Sequence, residues 1–285
     1  MVDVVLAIAS TTGVAVVLRL ARKLGRNIEV VIAVNYVVAA MVGAALFISS
    51  GDSLDVPSNT LLFALGGGPL WPGAFHLYAW GIATFGIARS GAWARLSLAV
   101  PVLVGILFLG EAIDIRLVLG LGLLLLAFAA LTPASTPSVE KRGTNSRNAL
   151  FYAVALIVVF GIIDAWISLF EEFGGGEDLL FFVILFSTAA FVSWVALLAR
   201  RTSIKRRDLQ TGAILGVLNF GVSWFLLRAL SGDFENRSAI VFTLFSAGSL
   251  VVMVAVGRLA WKEQVRWREL AGVALAIAAI VAINL

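Results

Sequence analysis

Ten long apolar runs follow one another along the chain, and no other feature restricts its fold so severely. They lie at residues 3–20, 28–48, 60–82, 91–110, 113–132, 149–169, 179–199, 210–229, 238–258 and 267–285. A helix rises 1.5 Å per residue and a hydrocarbon core is about 30 Å thick, so about 20 apolar residues make one span. In lipid every backbone N–H and C=O must find a partner inside the protein, which leaves helices or a closed barrel. The runs lack the apolar–polar alternation of lipid-facing strands. The expected fold is therefore all-α, a polytopic membrane protein of about ten transmembrane helices. Composition agrees: 13% of residues are charged, against about 25% for a soluble domain. The first run begins almost at Met1 without a basic leader or a clear cleavage site, so no cleavable signal peptide is expected.

Charge alternates from loop to loop. Loops after odd-numbered spans hold Arg19, Arg22, Lys23 and Arg26; Arg89 and Arg95; Lys141, Arg142 and Arg147; Arg200, Arg201, Lys205, Arg206 and Arg207; and Arg258, Lys262, Arg266 and Arg268. Those are 18 of the 21 basic residues. Loops after even-numbered spans hold Arg116, Arg228 and Arg237 with Asp52, Asp55, Glu171, Glu172, Glu177 and Asp178. Basic loops stay in the cytoplasm, which puts both termini outside. The expected location is the plasma (inner) membrane of a prokaryote, multi-pass. The pI near 9.8 then reflects these loops and implies no nucleic-acid partner.

The polar stretch 133–148 reads as a cytoplasmic linker that divides residues 1–132 from 149–285, five spans from five. An offset of 152 residues lays Glu111 on Glu263, Ser97 on Ser249, Leu98 on Leu250, Val102 on Val254, Gly105 on Gly257, Arg116 on Arg268, Gly120 on Gly272 and Leu123 on Leu275. Two copies of an odd number of spans enter the membrane in opposite senses. Inverted repeats of this kind recur in secondary transporters, where they allow two near-equivalent states around a midplane site.

The carrying stretch of the first copy is Pro101-Val-Leu-Val-Gly-Ile-Leu-Phe-Leu-Gly-Glu111 followed by Leu119-Gly120-Leu-Gly-Leu. Its counterpart is Gly257-Arg-Leu-Ala-Trp-Lys-Glu263 followed by Leu270-Ala-Gly272. An apolar helix, a Gly-Glu or Lys-Glu turn and a helix opening on a Leu-Gly pair resemble the drug/metabolite transporter superfamily, in particular its EamA-like ten-span branch. That resemblance implies two EamA-like five-helix repeats (1–132 and 149–285). It also implies alternating access around a cavity lined by parts of spans 3, 4, 8 and 9. Members move amino acids, nucleotide sugars, phosphorylated sugars, amines and drugs, so membership names no substrate. Glu111 and Glu263 themselves read as structural turn residues.

Polar side chains inside spans are costly against lipid and normally face the protein interior or water. His76 follows Gly66-Gly67-Gly68 and sits in Trp71-Pro72-Gly73-Ala74-Phe75-His76-Leu77-Tyr78. A glycine-rich, proline-interrupted helix can open its backbone at a cavity, and an imidazole there can hold substrate or a proton, or simply bond a neighbouring helix. Asp164 is the carboxylate inside a span, suited either to proton coupling or to pairing with a nearby donor. Arg95 either snorkels to the interface or faces the cavity, where it would favour a carboxylate or phosphate. Asn35 and Asn219 either bridge helices or touch substrate; Tyr78 and Trp224 are cavity candidates beside them, and Trp166 either lines a cavity or faces lipid. Arg228 reads as a snorkelling residue, and Gly212 with Gly216 as a close-packing pair.

Other chemistries lack their residues. With no cysteine and one histidine there is no thiol nucleophile and no metal cluster, and no cofactor is expected. No Walker A sequence points to ATP hydrolysis, no Gly-x-Ser-x-Gly window to a serine hydrolase, and no lysine lies in a span for a retinal. A secondary transporter, favouring export of a small polar or amphipathic metabolite and open to proton coupling, is the expected function. A membrane-embedded enzyme or a non-transporting scaffold is the alternative. Expected partners are a small-molecule substrate and the lipid bilayer, with the chain a monomer or a homodimer.

Overall fold

The computed structural model describes residues 1–51, 56–98, 100, 115–131, 146–174, 178–231, 238–263 and 266–284. The hairpin stretch Pro101–Glu111 and linker residues 133–145 lie outside the described residues. Helices make up the regular structure, with no strand among the described residues. They are α1 (Val2–Lys23), α2 (Ile28–Ser50), α3 (Ser58–Gly67), α4 (Leu70–Phe85), α5 (Ile87–Arg95) with a 3-10 turn at Leu96–Leu98, α6 (Ile115–Leu131), α7 (Ser146–Phe173), α8 (Asp178–Ala199), α9 (Arg206–Ser231), α10 (Ser238–Trp261) and α11 (Trp267–Asn284). Among the described residues six stretches, in α1, α2, α7, α8, α9 and α10, are long and apolar enough to cross a membrane. Large apolar side chains stand exposed on many helices, among them Ile48, Leu125, Phe151, Leu198 and Leu259. Apolar surface on that scale suits lipid, and the chain is a helical membrane protein.

The third expected span is not a single helix, and the fourth leaves α-helical geometry at Leu96–Leu98. Residues 60–82 are split into α3 and α4 at Gly68-Pro69, because proline brings no N–H to bond the preceding turn. The glycines before the break serve close packing. A Cβ on Gly67 would lie 2.6 Å from the Trp166 indole nitrogen, and one on Gly68 would lie 2.6 Å from Thr188. The Trp166 N–H donates to the Phe63 carbonyl at 2.9 Å, so this tryptophan is fastened to α3.

The chain forms two compact units. Unit 1 comprises Met1–Ala79 and Trp166–Ala229; unit 2 comprises Trp80–Ala165 and Leu230–Leu285. In unit 1, α2 and α8 run antiparallel, with Glu29 paired to Arg200 at one end and Gly43 against Val183 toward the other. Helices α2 and α9 run parallel: Gly212 abuts Val31 and Val34, Gly216 abuts Asn35 and Val38, and Gly43 abuts Phe220. The pair Gly212/Gly216 thus lets two helices of this chain touch backbone to side-chain root. Helix α1 runs antiparallel to α9, from Gly13 against Leu218, through Ser10 against Gly221, to Asp3 facing Arg228 at 3.6 Å. Arg228 therefore has a carboxylate partner, exposed as it is. The basic α1–α2 and α8–α9 loops share one end of the unit, where the Asn27 N–H also donates to Asp208 Oδ1 at 3.3 Å.

In unit 2, α6 lies against α11, and the Arg268 guanidinium donates to the Ala129 carbonyl. Helix α5 lies along α10, where Gly91 leaves room for Met253 Sδ. Tyr152 of α7 packs among Trp80, Phe85 and Trp93, with ring centroids 4.7, 5.1 and 5.8 Å away. The start of α5 is held by Glu263. Gly86, at φ +95°, breaks the path from α4. The freed Ile87 and Ala88 N–H groups donate to Glu263 Oε1 and Oε2 at 2.9 and 3.1 Å. Glu263 is aimed by the end of α10: Lys262 takes a left-handed φ of +52°, and the Glu263 N–H returns to the Gly257 carbonyl at 3.1 Å. A left-handed φ of this kind suits glycine. Lys262→Gly is expected to raise stability by about 1 kcal/mol, measured as a higher melting temperature in detergent.

Candidate functional site

Charges on α5 and α7 come together in unit 2. Arg95 closes α5, and the 3-10 turn that follows carries Ser97. The Ser97 hydroxyl lies 2.7 Å from Asp164 Oδ2 on α7 and 2.7 Å from the Ala94 carbonyl. The Arg95 guanidinium is near enough to attract the Asp164 carboxylate and sits 4.5 Å from the centre of the Phe245 ring of α10. Three helices and a turn therefore build one partly buried group: a fixed cation, a titratable anion, a hydroxyl that can bond the anion, and an aromatic face over the cation. A guanidinium over a ring is favoured further when water is scarce. Arg95 is partly buried and engaged with the Phe245 ring. Gly161, one turn before Asp164, allows the approach; a Cβ there would meet Val100 at 2.3 Å and the Ser97 carbonyl at 3.1 Å.

The remaining candidates belong to unit 1. His76, partly buried on α4, has Nδ1 2.7 Å from the Pro72 carbonyl. With a carbonyl as partner, Nδ1 carries the proton and donates, leaving Nε2 as the nitrogen for any solute. Tyr78 is buried on the same helix. Asn35 is fully buried with neither amide atom bonded, and Asn219 is buried with its Nδ2 unbonded. Asn219 lies three residues beyond Gly216, about 4.5 Å of helical rise, on the face of α9 that meets α2. Neither amide nitrogen bridges two helices by a hydrogen bond. Trp224 stacks on Phe220 at 6.2 Å. No group of three or more metal-ligating side chains occurs among the described residues.

Two members of this group escaped the sequence. Ser97 stood out only as a match to Ser249, and nothing in the sequence marked Phe245. The Arg95–Asp164 association was within reach, since opposite charges inside apolar spans tend to find one another.

No family model matches the chain. An uncharacterized protein of Haemophilus influenzae is 28% identical over 284 residues, covering 98% of this chain and 96% of that protein. A protein of known crystal structure has a TM-score of 0.66 to this one at 16% identity, covering 99% of this chain and 95% of its own. Both correspondences run nearly end to end, and the second is a likeness of fold.

Proposed function

We propose that this protein is a secondary transporter that carries a small polar or amphipathic solute by alternating access, with export the favoured direction. The observation that carries the reading is the Arg95–Ser97–Asp164 group, a cation, a hydroxyl and a carboxylate gathered between α5, its 3-10 turn and α7. Charges within membrane spans are expensive and are commonly retained where they serve a solute or ion path.

Helix boundaries support an inverted-repeat construction. The 152-residue offset carries Ile115, which opens α6, onto Trp267, which opens α11, and it carries Ile87 to one residue past the start of α10. The directions agree as well. In a ten-span order spans 2 and 8 run the same way and spans 2 and 7 oppositely, as α2, α9 and α8 do. The basic loops grouped at one end of unit 1 support a cytoplasmic assignment for that end, with extracytoplasmic termini and a prokaryotic inner membrane. The paired hairpin motifs keep the EamA-like branch of the drug/metabolite transporters as the proposed family.

The test is a metabolite-wide flux screen with purified protein in liposomes, with and without an imposed pH gradient. Movement of one solute class supports the reading. A folded, oriented protein that moves none of them contradicts it and favours a scaffold.

A further inference from the structure

We infer that the Arg95–Asp164 group takes a small anionic solute, a carboxylate or a phosphate monoester, and that one proton travels with it on Asp164. This inference rests on the transporter reading above and specifies the same site.

The repeat gives the first argument. Positions 152 residues from Arg95 and Asp164 hold Ala247 and Thr12, whereas Ser97 keeps its counterpart Ser249. Ser249 makes the same local bond as Ser97, its hydroxyl donating three residues back to the Ser246 carbonyl at 3.1 Å. Ser249 lies inside α10 and not in a turn, and neither charge accompanies it there. Arg95 and Asp164 therefore have no charged counterpart under the 152-residue offset.

The second argument is the unequal chemistry of the partners. A guanidinium stays protonated throughout the physiological range, while a carboxylate can accept a proton. A cationic solute bound at Asp164 would leave two positive charges facing one negative charge in a poorly solvated place, with no way to discharge the arginine. An anionic solute meets no such obstacle. Its carboxylate or phosphate oxygens take the guanidinium in the paired geometry Arg favours. The displaced Asp164 carboxylate then accepts one proton from hydronium on the open side and becomes neutral. On the other side the solute leaves and Asp164 returns that proton to water, a carboxylate again within reach of the Arg95 charge. The site carries the same net charge in both states for a monoanion.

The surroundings suit this exchange. Asp164 is faced by Arg95 from α5 and by Ser97 from the turn, while Gly161 on its own helix packs on Val100 and the Ser97 carbonyl. Phe245 of α10 covers the guanidinium. Ser97 can donate to the ionised carboxylate or turn its proton to the Ala94 carbonyl and accept from the protonated acid.

The full-length protein is placed in liposomes holding a trapped pH-sensitive dye. Gluconate, succinate, glutamate, glycerol phosphate, choline, spermidine and glucose are added outside in turn. At least one anion is expected to acidify the interior. Asp164→Asn should reduce that acidification at least tenfold while keeping the thermal shift the same anion produces. Arg95→Gln should lose the shift itself, and Ser97→Ala, the mildest change, should slow the flux without abolishing it. Carboxylate against phosphate response separates the two anion chemistries. Proton movement driven by choline or spermidine, or flux of glucose alone, overturns the anion assignment and leaves the transporter reading standing. Acidification unchanged in Asp164→Asn overturns the proton role. No flux of any solute overturns both.

Discussion

Glu263→Ala is expected to leave little folded protein. The side chain supplies both acceptors for the first two N–H groups of α5, and the preceding residue, Gly86, has no side chain with which to replace them. An ordinary N-cap is worth about 1 kcal/mol. Here two buried donors lose their carboxyl partner, each at about 1–3 kcal/mol, so the loss should reach about 3–5 kcal/mol. Native stabilities of about 5–15 kcal/mol leave limited room for that. Glu263→Gln keeps one acceptor oxygen and should fall between the unsubstituted protein and the alanine variant. Gly86→Ala should cause a loss of similar size without touching the carboxylate, because its Cβ would stand 2.4 Å from Glu263 Oε1 at a φ of +95°. Thermal unfolding in detergent, followed by size-exclusion fluorescence, reads the order.

Gly216→Leu is the second large effect. A Cβ at Gly216 already lies 2.6 Å from the Asn35 carbonyl and 2.7 Å from Val38. The first is backbone in the middle of a helix and cannot swing aside. Overpacking usually costs about 1–3 kcal/mol; with α2 forced bodily from α9, more than about 3 kcal/mol is expected. Gly122→Leu serves as control, since a Cβ there meets nothing within 4 Å. Near-normal accumulation of the Gly122 variant beside loss of the Gly216 variant is the expected pair of results. Equal accumulation of both would remove the α2–α9 contact from the account.

Much of this fold was legible because membrane helices obey a length rule. The expected starts at residues 28, 179, 238 and 267 fall within one residue of the starts of α2, α8, α10 and α11. The Gly212/Gly216 spacing likewise announced a close helix contact. The third span was misjudged because hydropathy does not register a break; Gly68 and Pro69 are apolar enough to pass for helix. The role of Gly66-Gly67-Gly68 was also out of reach, since it depends on Trp166 and Thr188, far away in sequence. Glu263 was recognised as a turn residue, but its work on α5 depends on a contact across 176 residues. At the candidate site, Arg95 and Asp164 each stood out as charges in spans. Their meeting required three-dimensional placement of α5 and α7, and Phe245 carried no signal at all among 19 phenylalanines.

The most direct measurement exploits the absence of native cysteine. Ser97→Cys places one thiol beside Asp164, and a membrane-impermeant thiol reagent is applied from each side of oriented liposomes. The account expects labelling from both sides, with a transported solute shifting accessibility from one side to the other. A thiol that reacts from neither side, with or without solute, would make the Arg95–Asp164 group a closed structural pair and contradict alternating access at this site.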